Sequence, residues 1–272
     1  MASNCFDLWE NIPGDYTDKP IVTYYPPQNK RSDAAVVIFP GGAYCNRAPH
    51  EGSKYAEFLA ENGISAFVVD YRVAPHAFPL PLLDARRAVR FVRYHAEKFG
   101  IDKNKVAVMG SSAGGHLAAL VSTYRKPIAF EGADAIDKEE YLPNKQILCY
   151  PVINLYDLNI AHVGSGDNLL GNSFMENHDS VSRMKLSPNM LVSKKTPGAF
   201  IWHTFEDEGV NVKNSLEYAE RLRDYKIDTE MHIFPYGWHG MGLTNREDAL
   251  QNHVAQWSDL LINWLRFIQW LE

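Results

Sequence analysis

Gly110-Ser111-Ser112-Ala113-Gly114 sets two hydroxyls among small residues, between an apolar run from Val106 and an amphipathic run that continues to Tyr124. The pattern is G-x-S-x-G with Ser112 at its centre. A strand that turns abruptly into a helix needs glycines two before and two after such a serine, both for the strained turn and for close packing. Ser112 is then displayed at the amino end of the helix, where unpaired N–H groups and the positive end of the dipole face it. Ser111 points elsewhere. The setting is that of a nucleophile, and a serine hydroxyl is a weak one until a base takes its proton. Of ten histidines, His239 alone lies in a glycine-rich loop, "FPYGWHGMG", after a predicted late strand; His232 falls within a strand and His95 within a helix, which makes both structural. A carboxylate that orients the imidazole and stabilises its protonated form is offered by "HTFEDEGV", where Glu206, Asp207 and Glu208 compete. Donors for a tetrahedral oxyanion come from "FPGGAY", through the backbone N–H groups of Gly42 and Ala43, and from Ala113 N–H.

Two other chemistries are disfavoured. Neither glycine-rich turn runs into Gly-Lys-Ser/Thr or fits G-x-G-x-x-G, so a phosphate loop ranks low. No HExxH or comparable ligand spacing occurs, which argues against a zinc hydrolase.

These residues need a frame that brings them together. The apolar runs Ala34–Gly42, Ile64–Tyr71, Lys105–Gly110, Lys145–Ile153, Gly198–Thr204 and Thr229–Pro235 predict buried strands. Helical periodicity predicts helices over Ser53–Gly63, Pro81–Gly100, Ala113–Tyr124, Asn211–Tyr225 and about Arg246–Trp270. Strands that are nearly all apolar and alternate with helices imply an α/β fold, a mostly parallel, doubly wound sheet covered on both faces. In such sheets function sits at the carboxyl ends of the strands. Residues 154–195 lose all periodicity and are rich in Gly, Asn, Ser and Met; they read as a small lid-like insertion with short helices within one domain spanning 1–272.

Composition sets further bounds. The chain has 272 residues, 46% hydrophobic and 22% charged, which suits one soluble globular domain. A net charge of −6 argues against a nucleic-acid partner. No run approaches the length of a membrane span. The start lacks a basic and apolar leader, and the three cysteines, Cys5, Cys45 and Cys149, form no CxxC pair, so the expectation is a cytoplasmic protein with thiols, provided no leader has been removed. The Trp-bearing last helix packs on the core or on a second copy of the chain; the core is the first expectation, and a homo-oligomer stays open.

Together these residues resemble the esterase/lipase branch of the α/β-hydrolase superfamily, closest to bacterial acetyl esterases, including acetylxylan-esterase-like proteins, and to their hormone-sensitive-lipase-like relatives. The resemblance runs through "VVIFPGGAY", "FVVDYRVAP", "DARRAVRFVR", "FGIDKNKVAVMGSSAGGHLAAL", "CYPVINL", "SPNMLV", "FIWHTFEDEGVNVKNSLEYAERL" and "FPYGWHGMGL". It implies the α/β-hydrolase fold, Ser112 as nucleophile and His239 as base, in the order Ser, acid, His. The family's acid lies three residues before the valine of a D-x-x-V pattern, which selects Asp207 with Val210. Many relatives carry His-Gly-Gly-Gly at the oxyanion loop; here it is Pro40-Gly41-Gly42-Ala43, and only backbone N–H groups are needed. Asp70-Tyr71-Arg72, Asp84 and His116 match family positions and read as structural ties beneath the site. No metal or organic cofactor is implied. The resemblance points to a small-molecule ester substrate, an acetyl group on a sugar such as a xylo-oligosaccharide; by their places beside the oxyanion loop and the base, Tyr44 and Trp238 would flank its acyl or alcohol pocket. The alternatives are an arylformamidase, a general short-chain carboxylesterase, or a silent hydrolase fold reused for binding.

Overall fold

The computed structural model describes residues 4–14, 17–130, 133–171 and 180–272. Each run predicted as a strand is one: β3 (Ala35–Phe39), β4 (Ser65–Asp70), β5 (Val106–Ser111), β6 (Lys145–Cys149), β7 (Gly198–Thr204) and β8 (Thr229–Phe234). Two more precede them, β1 (Cys5–Asp7) and β2 (Ile21–Tyr25). All lie in one sheet, in the order β1-β2-β4-β3-β5-β6-β7-β8. β2 runs antiparallel to both β1 and β4, and the pairs from β4 to β8 are parallel.

The continuous apolarity of the inner strands has a direct cause. Successive side chains of a strand point to opposite faces, and both faces are covered. In β3, Ala35, Val37 and Phe39 join one core with helices α2 (Leu80–Tyr94), α4 (Ser112–Thr123) and α8 (Lys213–Asp224). Val36 and Ile38 join the other, with α1 (Ser53–Glu61) and α9 (Ala249–Phe267). The last helix thus packs on the core: Trp257 stacks on Trp202 of β7 with centroids 4.9 Å apart.

Helix ends follow local chemistry. The run predicted as one helix over Pro81–Gly100 is broken at His95, which separates α2 from α3 (Ala96–Phe99), and Gly100 closes it in the left-handed region at φ 63°. α9 starts at Ala249, later than its periodicity suggests, because Asp248 caps it by accepting from Gln251 N–H at 2.8 Å.

Residues 154–195 carry α5 (Val163–Leu170), α6 (Ser180–Met184) and α7 (Pro188–Leu191); residues 172–179 of the expected insertion lie outside the described residues. Among the described residues no helix is long and apolar enough to cross a membrane. Buried Arg72 forks onto Asp84, with Nε to Oδ2 at 2.8 Å and Nη2 to Oδ1 at 2.7 Å, and Trp9 Nε1 donates to the same carboxylate. Burial raises the Asp84 carboxyl against the hydrogen bonds from Arg72.

Candidate active site

Ser112 is the first residue of α4, directly after β5, and its backbone sits at φ 52°. The two flanking glycines explain how. A Cβ on Gly110 would lie 2.1 Å from Gly114 O, and one on Gly114 would lie 2.0 Å from Phe39 O. The turn closes only where both side chains are absent. Ser111 faces the opposite way, its Oγ 3.0 Å from Tyr55 OH in the core.

His239 lies in the loop after β8 and Asp207 in the loop after β7, so neighbouring parallel strands deliver base and acid to the same end of the sheet. His239 Nε2 is 2.8 Å from Ser112 Oγ, and His239 Nδ1 is 2.7 Å from Asp207 Oδ2. An ionised carboxylate only accepts, which places the ring proton on Nδ1 and leaves Nε2 as the acceptor for the serine hydroxyl. Gly209 lets the loops close: a Cβ there would meet His239 Cβ at 2.8 Å. Asp207 is buried, whereas Glu206 and Glu208 are exposed. Its Oδ1 accepts from Gly209 N–H at 2.9 Å and Val210 N–H at 2.8 Å. Burial alone would raise its carboxyl, but hydrogen bonds from His203 and His239 outweigh that and hold it well below the usual carboxylate range.

Sequence reasoning passed over His203. Its Nε2 faces Asp207 Oδ2 at 3.2 Å and Val210 O at 3.0 Å, both acceptors, while Nδ1 is 2.8 Å from Ser215 Oγ. The signal available was a polar residue at the carboxyl end of a buried strand, four positions before the acid.

Opposite the base, the chain leaves β3 through Pro40 into Gly41-Gly42-Ala43-Tyr44. Gly42, Ala43 and Tyr44 all have positive φ, at 129°, 52° and 58°. Gly41 packs against the nucleophile, since a Cβ on it would stand 3.1 Å from Ser112 Cβ. The Gly41 N–H is taken by Glu51 Oε2 at 2.9 Å. The N–H groups of Gly42 and Ala43 donate to no group among the described residues. Ala113 N–H is among the unpaired donors at the start of α4. From α5, Asn168 Nδ2 donates to Ala43 O at 2.9 Å and holds this loop.

The two aromatic walls part company. Tyr44 does not line an open pocket: its side chain is buried, with the OH 2.8 Å from His116 Nδ1 and the ring edge-on to Tyr71. The left-handed backbone at Tyr44 turns the ring inward, and the expectation drawn from its place beside the loop is corrected accordingly. His116 completes the tie through Nε2 to Leu186 O at 2.8 Å. Trp238 is half exposed beside His239, and with Phe205, Glu206, Glu208 and Leu250 it borders a cavity of about 780 Å³.

The BD-FAE family pattern matches residues 22–222. The chain belongs to the BD-FAE family. This BD-FAE chain is 40% identical to the acetyl ester-xyloside bifunctional hydrolase of Caldicellulosiruptor lactoaceticus, whose crystal structure superposes with a TM-score of 0.89 over 99% of this chain and 98% of that one. It is 35% identical to endo-1,4-beta-xylanase B of Butyrivibrio fibrisolvens over 78% of its own length, and 33% identical to an acetylxylan esterase of Xylanibacter ruminicola over 85%. It spans 33% and 46% of those two curated relatives, less than half of either. With the sheet described above, these likenesses make the fold that of an α/β hydrolase, as expected from the sequence.

Proposed function

We propose that this BD-FAE chain is a serine carboxylic-ester hydrolase and that it removes acetyl groups from sugar alcohols of the xylo-oligosaccharide class. The observation that carries the reading is the relay from Ser112 Oγ to His239 Nε2 at 2.8 Å and from His239 Nδ1 to Asp207 Oδ2 at 2.7 Å. In this reading Ser112 attacks the ester carbonyl as His239 accepts its proton, and Asp207 stabilises the imidazolium. Gly42, Ala43 and Ala113 offer N–H groups to the oxyanion. His239 then protonates the leaving alcohol, and water activated by the same imidazole releases the acid. The steps draw on no cofactor.

Support for the substrate is of two kinds. Relatives carry names that include acetylxylan and acetyl ester-xyloside. The cavity beside His239 is bordered by exposed Trp238 and Phe205 and by carboxylates, surfaces that suit the C–H faces and hydroxyls of a pyranose. A location in a reducing compartment such as the cytoplasm fits Cys5, Cys45 and Cys149, which stand as thiols.

Hydrolysis of p-nitrophenyl esters from acetyl to octanoyl, with Ser112→Ala beside the wild type, tests the reading. Turnover should fall steeply beyond acetyl, and the variant should lose on the order of 10⁴-fold or more in kcat. A preference for long acyl chains would favour a general carboxylesterase, and turnover that survives the loss of Ser112 would remove the assignment.

A further inference from the structure

Glu51 is a buried carboxylate with no lysine or arginine in ion-pair reach among the described residues. It closes the short turn Pro49–Glu51 ahead of α1 and is 3% exposed. The ionisable nitrogen that approaches it is the exposed His50 Nε2, 3.8 Å from Oε1. Burying such a group uncompensated costs free energy that a neutral residue would spare. Its position therefore calls for a reason beyond packing.

Both oxygens are engaged. Oε2 accepts from Gly41 N–H at 2.9 Å, and Oε1 accepts from Tyr150 OH at 2.7 Å. Tyr150 follows β6, and its ring lies edge-on to the His239 imidazole at 5.1 Å. Burial first, and the Glu51 charge next, push the Tyr150 phenol far up, so it remains an O–H donor. The same phenol oxygen accepts from Gly242 N–H at 3.0 Å, in the loop just past His239. It also lies 3.2 Å from Tyr55 OH, which reaches Ser111 Oγ. One carboxylate thus ties the loop before Gly42 and Ala43, the loop that carries His239, and, through Tyr55, the end of β5 that leads into Ser112.

We infer that Glu51 is a positioning residue for acyl transfer: by holding the Gly41 peptide it keeps the Gly42 and Ala43 N–H groups aimed at the oxyanion, and through Tyr150 it sets the His239 loop against the same frame. An acceptor-only group is what this point needs. Two donors, Gly41 N–H and Tyr150 O–H, converge on it, and a Cβ at Gly41 would fall 2.3 Å from Oε2, so the backbone approaches as closely as it can. The inference rests on the ester-hydrolase reading above.

Glu51→Ala, Glu51→Gln and Tyr150→Phe test it with p-nitrophenyl acetate and a boronic acid that forms a tetrahedral adduct with serine. Loss of one oxyanion donor elsewhere costs on the order of 10²–10³ in kcat, so Glu51→Ala should lower kcat roughly 100-fold while KM stays within about threefold. Boronate affinity should fall alongside kcat, which a general loosening of the fold would not select for. Glu51→Gln keeps an oxygen for Gly41 N–H but turns an amide N–H towards Tyr150 OH, so it should recover only part of the loss and stay roughly tenfold below wild type in kcat. If Glu51→Ala does not fold, the Gln and Phe variants decide: wild-type kcat in both overturns the inference. Amide hydrogen exchange at Gly41 and Gly242 gives a reading independent of turnover. It should be slow in the wild type and at least about tenfold faster at Gly41 in Glu51→Ala and at Gly242 in Tyr150→Phe. Unchanged exchange overturns the role of Glu51, whereas a wild type with slow exchange and no Ser112-dependent turnover overturns the hydrolase reading instead.

Discussion

At Asp207 a short side chain does what a longer one could not. Its Oδ1 takes the N–H groups two and three residues ahead, Gly209 and Val210, an Asx-type turn. That leaves Oδ2 for His239 at 2.7 Å and His203 at 3.2 Å. Glutamate at the same place would overshoot its own turn, so the choice among three adjacent carboxylates, open on pattern alone, follows from turn geometry. Asp207→Asn keeps the shape but offers His239 Nδ1 an amide that can present N–H and favour the wrong tautomer. By analogy with other triads it should lower kcat on the order of 10⁴-fold with little change in KM, measured on p-nitrophenyl acetate. The same carboxylate links stability to pH. Its folded-state pKa lies below the ordinary aspartate value of about 3.9, because the hydrogen bonds from His203 and His239 together outweigh its burial. A depressed carboxylate contributes stability that is present in full above the unfolded value and lost as pH falls through the folded one. The difference in Tm between wild type and Asp207→Asn should therefore be constant above about pH 5 and shrink below about pH 4; a difference that grows on acidification would contradict that cause.

The element that matters most is the junction of β5 and α4. Gly114 lets α4 touch the end of β3, since any Cβ there would strike Phe39 O at 2.0 Å and Pro40 O at 2.6 Å. Those atoms are backbone and cannot swing aside. Gly114→Ala should cost about 3 kcal/mol or more in urea unfolding and shift Ser112 from His239. Gly164 in α5 provides the contrast, because a Cβ there meets only His162 Cε1 at 3.5 Å. Gly164→Ala should be neutral or stabilise by up to about 1 kcal/mol. This junction was legible because its glycines have one steric reading between an apolar strand and a helix. The inner strands were legible for a related reason: covered on both faces, they are apolar through their middles, and polar residues such as Gln146 and His203 fall near their ends. β1 and β2 were not. They sit at the antiparallel edge, their residues are mostly partly exposed, and β1 has three residues. The Glu51 tie was equally hidden, because one glutamate ahead of a helix carries no mark of the glycine and tyrosine that will converge on it from far along the chain.

Across the whole molecule, the site draws one side from α5 and the other from the loops after β7 and β8. Asn168 of α5 bonds the Ala43 carbonyl, and Phe78 N–H bonds Leu169 O at 2.6 Å, so α5 is tied against the oxyanion side. The far side stays open. There Phe205, Tyr236 and Trp238 are 62%, 57% and 52% exposed, on loops joined by Thr204 Oγ1 to Gly237 O at 2.9 Å. In the proposed reading the short acyl group lies towards the Gly42–Ala43 side and the longer alcohol towards the open face, the arrangement that an oligosaccharide acetate would need. Such a substrate is neutral, so the chain's net charge of −6 neither attracts nor repels it, and KM should be insensitive to salt. Stacking on one exposed aromatic ring is worth on the order of 1 kcal/mol, close to a factor of about ten in affinity. Trp238→Ala should therefore reduce kcat/KM for acetylated xylo-oligosaccharides roughly tenfold relative to p-nitrophenyl acetate, mainly through KM. The alcohol of p-nitrophenyl acetate is a single ring and reaches less of the open face, so the ratio of the two substrates isolates what Trp238 contributes to the sugar chain. An unchanged ratio, with oligosaccharide turnover intact, would move the sugar to the α5 side of the site.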